Sequence, residues 1–307
     1  VIHVLLAGNA GLGPTQDHQR QMYAPAFEAH PGFELVEFPT LAEGLASDEV
    51  DLVSVCVPLD ERVETLTRIA NAGKHALVDK PLAGSAADLR TIDEAFKQAG
   101  TICLPAHHLR YHPTIQSTSA AIAGGRIGLP WNVQGDFLVA GGDPCPAGEL
   151  VNFALYPIDV LRAMTGLAVR KVWATGGTFW HDDSPDDLAV ICLDLDHDVT
   201  ATLTVGRTAT KDESGFAVHR YRVSGSHGVL LVDAAKPALT VRNEAGKSSR
   251  WLGQSTVTRM LDDLQRAIET GSRPAVGPQD ALATQQVVEA AQESIAKGVP
   301  IHLEEVS

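Results

Sequence analysis

The run Ile2-His3-Val4-Leu5-Leu6-Ala7 stops at Gly8. A strand with so few polar positions is buried on both faces, and such a strand needs helices on either side of its sheet. The next hundred residues supply them. A helix is expected over 16–30, ending at Pro31-Gly32, and a strand over 33–38. A short helix over 41–46 precedes the apolar stretch 51–57. A helix over 61–72 closes at Gly73, and a strand over 75–78 follows. A helix over 86–98 closes at Gly100, before a strand over 101–104. This alternation predicts a parallel, doubly wound sheet of Rossmann type.

After Pro113 the texture changes. A helix over 114–123 ends at Gly124-Gly125. Longer strands with two-residue alternation are expected over 131–139, 170–178, 188–194, 199–207, 219–224, 228–232 and 239–242. One helix, 152–165, interrupts them, and two more, 256–270 and 278–297, close the chain. Strands in succession with few helices between them predict an α+β domain with a large, mostly antiparallel open sheet. The chain of 307 residues has room for two domains. The predicted division is 1–112 and 113–307, an α/β fold overall. The exposed face of such a sheet needs cover, so self-association as a homodimer or homotetramer is expected.

Gly8-Asn9-Ala10-Gly11-Leu12-Gly13 lies between the first strand and the first long helix. There, one glycine permits a tight turn, a small residue admits a pyrophosphate, and a last glycine lets helix and strand pack closely. Gly8, Ala10, Gly11 and Gly13 are therefore candidate dinucleotide contacts, with phosphates at the helix N-terminus. Pro14 suits a helix start. Glu37, at the end of the second strand, is the candidate acid for the adenosine ribose and would favour NAD over NADP. A solvated strand-end carboxylate is the other reading of Glu37. The segment from Phe33 to Asp51 leaves little room for a full helix and strand.

The strand 75–78 delivers Asp79-Lys80-Pro81. The run from Ala72 to Leu82 resembles the A-G-K-H-V-x-x-E-K-P-L signature of the glucose–fructose oxidoreductase, inositol dehydrogenase and MocA family, with Asp for Glu. The resemblance implies an NAD(P)-dependent oxidoreductase that passes hydride between nicotinamide and a carbinol carbon of a sugar, polyol or related compound. It implies that Asp79 and Lys80 lie beside the cofactor and that Lys80 also meets the substrate hydroxyl. An ammonium there stabilises a developing alkoxide. The segment from Ala106 to Pro113 resembles the family's G-H-N-x-R-F-x-P crossing, which makes His107 and Arg110 candidate substrate contacts. An interdomain structural role for Arg110 is equally open. The segment from Gly148 to Asp159 resembles G-x-x-x-D-x-G-x-H-x-x-D, with Asn152 at the Asp position and Tyr156 at the His position. Four-residue spacing puts both on one helical face. Tyr156 is then the candidate acid/base, tuned by Lys80, with Asn152 orienting a hydroxyl. Core packing is the alternative for Tyr156. In Val57-Pro58-Leu59-Asp60-Glu61-Arg62 the proline of the family's cofactor-side T-P-N-x-x-H is kept and its polar partners are replaced.

Other function classes find little support. The net charge is -14 with no Lys/Arg-rich run, which argues against nucleic acid and anionic membranes. No apolar stretch is long enough to span a bilayer. The opening residues lack the charged and cleavage features of a secretory signal. Cys56, Cys103, Cys145 and Cys192 are scattered, which fits a reducing cytoplasm. Three histidines between His107 and His112 lack the carboxylates and spacing of a metal site, so no metal is expected. A non-catalytic dinucleotide-binding regulator on the same scaffold is the competing expectation.

Overall fold

The computed structural model describes residues 1–12, 17–179, 185–208, 216–235, 238–243, 246–251 and 254–303. It divides into two compact units, Val1–His108 with Thr256–Gln285, and Leu109–Ser255 with Gln286–Ser307.

In the first unit, β1 (Ile2–Ala7), β2 (Phe33–Val36), β3 (Leu52–Val55), β4 (His75–Val78) and β5 (Cys103–Pro105) form a sheet of order β2-β1-β3-β4-β5. Every pairing is parallel. All residues of β3 and β5 are buried, as a sheet covered on both faces requires. The connections carry α1 (Ala24–Ala29), α2 (Leu41–Ala46), α3 (Leu59–Asn71) and α4 (Ala86–Ala99). The first helix begins as a π-helical turn over Gln19–Tyr23. The six-residue α2 fits between β2 and β3 because Thr40 caps it, its hydroxyl accepting from the Glu43 amide at 3.2 Å. The βα unit is short but complete. Ser85 caps α4 in the same way at 3.1 Å, and Gly100 ends it in the left-handed conformation.

The second unit holds α5 (Pro113–Ala123), β6 (Pro130–Ala140), α6 (Glu149–Phe153), α7 (Leu155–Thr165), β7 (Val169–Gly177), β8 (Leu188–Leu195), β9 (Thr200–Thr208), β10 (Phe216–Gly225) and β11 (Gly228–Asp233). A small hairpin, β12 (Ala238–Asn243) and β13 (Gly246–Trp251), follows. Helices α8 (Thr256–Thr270) and α9 (Pro278–Lys297) precede β14 (Ile301–His302). The large sheet has the order β11-β10-β6-β9-β8-β7-β14 and is antiparallel except where β6 runs parallel to β9. Strand alternation sorts its faces. Val172, Leu193, Ala201, Val133 and Val223 lie in register across it and are buried in one core. One residue along, Trp173, Cys192, Thr202, Gln134, Arg222 and Leu231 form a row on the opposite face. Trp173 and Leu231 are exposed on it, at 39% and 81%. Among the described residues no helix is long and apolar enough to cross a membrane.

The sequence assigns all of 113–307 to the second unit; the structure returns 256–285 to the first. Helix α8 packs beside α1, and His30 Nε2 lies 2.9 Å from Asp262 Oδ1. Ala281 and Leu282 of α9 are buried in the core of the parallel sheet. An apolar helical stripe announces that a face is buried without saying against which sheet, and chain order is a poor guide when the chain doubles back. Leu282→Ala is therefore expected to destabilise the first unit by about 2–4 kcal/mol. Hydrogen exchange checks this: the amides of β4 and β5 should lose protection, and an effect confined to the large sheet would contradict the assignment.

Candidate active site

Strand β1 has β2 on one side and β3 on the other, so the order reverses between β1 and β3. Ligands of open parallel sheets bind outside the carboxyl ends at such a point. Gly8 opens the loop after β1 with φ +73°, and a Cβ there would stand 2.6 Å from the Cys56 carbonyl oxygen. Only glycine fits so close an approach. The Ala10 amide donates to that same oxygen at 2.7 Å, so it pins the loop to the end of β3 and is not turned to a phosphate. Gly11 is partly exposed, and Gly13 lies outside the described residues. Gln19 braces the chain beyond the loop. Its Oε1 accepts from Ser54 Oγ at 2.9 Å and Cys56 Sγ at 3.0 Å. Glu37 follows β2 directly and is exposed. Leu5 of β1 pairs with Val36, so Glu37 stands at the carboxyl edge one strand from Gly8. Pro58 is the residue before α3. A turn that excludes a side chain, with an acid one strand away, fits a dinucleotide.

At the end of β4, Asp79 and Lys80 are buried, at 1% and 2% exposure. Tyr23 Oη donates to Asp79 Oδ1 at 2.7 Å, and His18 Nδ1 lies 3.0 and 3.1 Å from the two carboxylate oxygens. Burial would raise the Asp79 carboxyl, but the His18 bond and charge, Lys80 and Arg62 outweigh it and hold the group below its ordinary value. Asp79 is thus an anion at neutral pH. Arg62, also buried, donates from Nε to the Val57 carbonyl at 2.9 Å and from Nη1 to the Asp79 and Pro81 carbonyls. Two residues beyond the end of β5, His107 is buried. His108 Nδ1 lies 2.7 Å from Thr256 Oγ1. Its ring is pushed down to about 4 by burial and by the charges of His18, His107 and Lys80, with Asp79 opposing.

The second unit carries its own buried polar group. Arg207 Nε donates to Glu149 Oε1 at 2.6 Å, and its guanidinium lies 5.1 Å over the Phe153 ring. The Cys145 amide donates to Glu149 Oε1, and Asn152 Nδ2 donates to Oε2, both at 3.0 Å. Asp186 Oδ1 accepts from the Leu150 amide at 2.7 Å; its carboxyl is raised by burial, with Glu149 adding to the shift against that amide bond. Gly148 has φ +92°, and a Cβ there would stand 2.4 Å from Asp186 Oδ2. Tyr156 is 8% exposed and packs beside Phe137, with ring centroids 5.6 Å apart. Arg110 grips Asp159 with two donors, Nε at 2.9 Å and Nη2.

Residues 15–107 match the model of the oxidoreductase family with an NAD-binding Rossmann fold, and residues 115–231 match the GFO/IDH/MocA C-terminal domain. The chain belongs to the GFO/IDH/MocA oxidoreductase family. Its first unit carries that family's NAD(P)-binding Rossmann domain. The chain is 25% identical over 280 residues to D-xylose 1-dehydrogenase (NADP(+)) 2 of Haloferax volcanii, covering 85% of this chain and 82% of that protein. It is 22% identical over 278 residues to scyllo-inositol 2-dehydrogenase (NAD(+)) of Bacillus subtilis, covering 85% and 80%. The fold is shared with myo-inositol 2-dehydrogenase of Lactobacillus plantarum at a TM-score of 0.81 and 18% identity, over 99% of each chain.

Against the family pattern, two features gain a physical account. The segment after β3 keeps a polar partner after all: Arg62 stands at the position of the motif's histidine and holds three carbonyls. Asn152 stands where the family has Asp, and its amide donates to buried Glu149. Sequence reasoning singled out neither Glu149, Arg207 nor His18. The three-residue spacing of Glu149 and Asn152 was the one local signal available. The predicted helix 152–165 is also broken: α6 ends at Phe153 and α7 starts at Leu155. Pro157 has no N–H to give the Phe153 carbonyl, which accounts for the break.

Two outcomes follow from this chemistry. Asn152→Asp would set a carboxylate against Glu149, and a stability loss of about 2–4 kcal/mol at pH 7 is expected. The new acid would be raised, so the loss should shrink as the pH falls toward 4 in urea unfolding; a loss independent of pH would exclude the charge clash. For His108, the unfolded ring binds its proton near 6.5 and the folded ring near 4. Its contribution is therefore complete above the upper value and is lost as pH falls to the lower one. His108→Gln should flatten that part of the stability profile, by about 3 kcal/mol at most.

Proposed function

We propose that this protein is an NAD(P)-dependent dehydrogenase or reductase acting on a CH–OH group of a sugar, polyol or related compound. The observation that carries the reading is Lys80. It is buried at the carboxyl end of β4, next to a compensated carboxylate, on a Rossmann unit whose Gly8 turn fits a dinucleotide. The substrates named for the xylose and inositol relatives support the polyol class. The exposed Glu37 beside β1 favours NAD.

When bound, the nicotinamide accepts or returns a hydride at its C4. Lys80 supplies positive charge for the alkoxide of the reacting hydroxyl. Tyr156 exchanges the hydroxyl proton, a role supported by its place in the family motif. His107 and Asn152 orient the substrate in this reading. Arg110 acts by fixing Asp159, since its guanidinium fork is already engaged there. The four free thiols fit a reducing cytoplasm. Trp173, Val229 and Leu231 on the open sheet fit a homodimer or homotetramer.

Nucleotide binding followed by fluorescence, then NAD(P) reduction over a panel of sugars and polyols, tests the proposal. Lys80→Met and Tyr156→Phe should each lower kcat by about 10²–10⁴-fold while nucleotide still binds. Tight binding by the native protein with turnover of no panel member would favour a nucleotide-binding regulator instead.

A further inference from the structure

Among the described residues Arg62 is the largest fully buried side chain, and it sits in the first turn of α3. Burying a guanidinium is unfavourable unless its donors are used, and here Nε and Nη1 are used on backbone. Nε donates to the Val57 carbonyl, two residues beyond β3. Nη1 donates to the carbonyls of Asp79 and Pro81, the two residues that flank Lys80. One rigid group therefore holds the peptide that enters Lys80 and the peptide that leaves Pro81, and ties both to the residue before Pro58. Its charge also helps keep the Asp79 carboxylate ionised. A lysine in its place would bring a point charge without the planar fork, and an amide too few donors for three carbonyls.

We infer that Arg62 is a positioning residue for Lys80: it sets where the ammonium-bearing chain begins and couples that placement to the β3 loop on the nucleotide side. The inference rests on the role given to Lys80 above, and its test does not depend on turnover. Acetylation of individual lysines by an N-hydroxysuccinimide ester, read by peptide mass spectrometry across a pH series, reports the access and protonation of Lys80. The exposed Lys97 and Lys297 serve as internal standards.

The folded Arg62→Gln protein, held well below its melting temperature, should acetylate Lys80 roughly tenfold faster than the native protein. The pH dependence at Lys80 should move as well, with the standards unchanged. Arg62→Lys should fall between the two, and it carries the test by itself where Arg62→Gln does not fold. A lower melting temperature with native rate and pH dependence at Lys80 would overturn the inference and leave Arg62 a packing residue. Failure of the native protein to reduce NAD(P) with any sugar or polyol of the panel would overturn the proposed function instead, while the labelling result would stand.

Discussion

A carboxylate with 1% of its surface exposed must be compensated, and the first unit is arranged around compensating Asp79. Three parts of the chain contribute. His18 and Tyr23 come from the segment that follows the glycine loop, Arg62 from α3, and Lys80 from the next residue of the same strand end. The groups that satisfy the anion also fix the segments that carry them. The loop after β1 is drawn to β3 through Ala10 and Gln19, and β3 is drawn to β4 through Arg62. Electrostatics at one buried oxygen pair thus sets the geometry of the sheet's ligand-binding edge.

The second unit repeats the logic with different residues. Glu149 is fully buried and answered by Arg207, two amide donors and the cation–aromatic contact of Arg207 with Phe153. In that setting Asn152 is the compatible side chain, because an amide can donate where a carboxylate would only repel. The change from the family's Asp is therefore explained by its neighbour. It reads as a local solution to a buried charge before it reads as a loss of chemistry.

The legible parts of the site were those written in consecutive residues. The Gly8 turn, the Asp79-Lys80-Pro81 strand end and the Gly148 to Asp159 segment each carry a local pattern, and each lies where strand–helix alternation puts it. The partners were not legible. His18 and Asp79 are 61 residues apart, and Arg207 and Glu149 are 58 apart. No period or motif links such pairs, since their contact depends on how the chain returns to a place it has already passed. Arg62 was visible only as a departure from a family pattern, and its three carbonyl acceptors were not.

The sequence by itself determined the two kinds of sheet, because the run Ile2 to Ala7 needs cover on both faces while the later strands alternate. It also determined the family, through a tripeptide at a strand end. Tertiary structure alone decided that 256–285 returns to the first unit and that Arg110 is held by Asp159. It alone decided which charges are buried together. The physical reason is that hydrophobic periodicity is a property of a segment, whereas compensation of a buried charge is a property of a pair brought together by the fold.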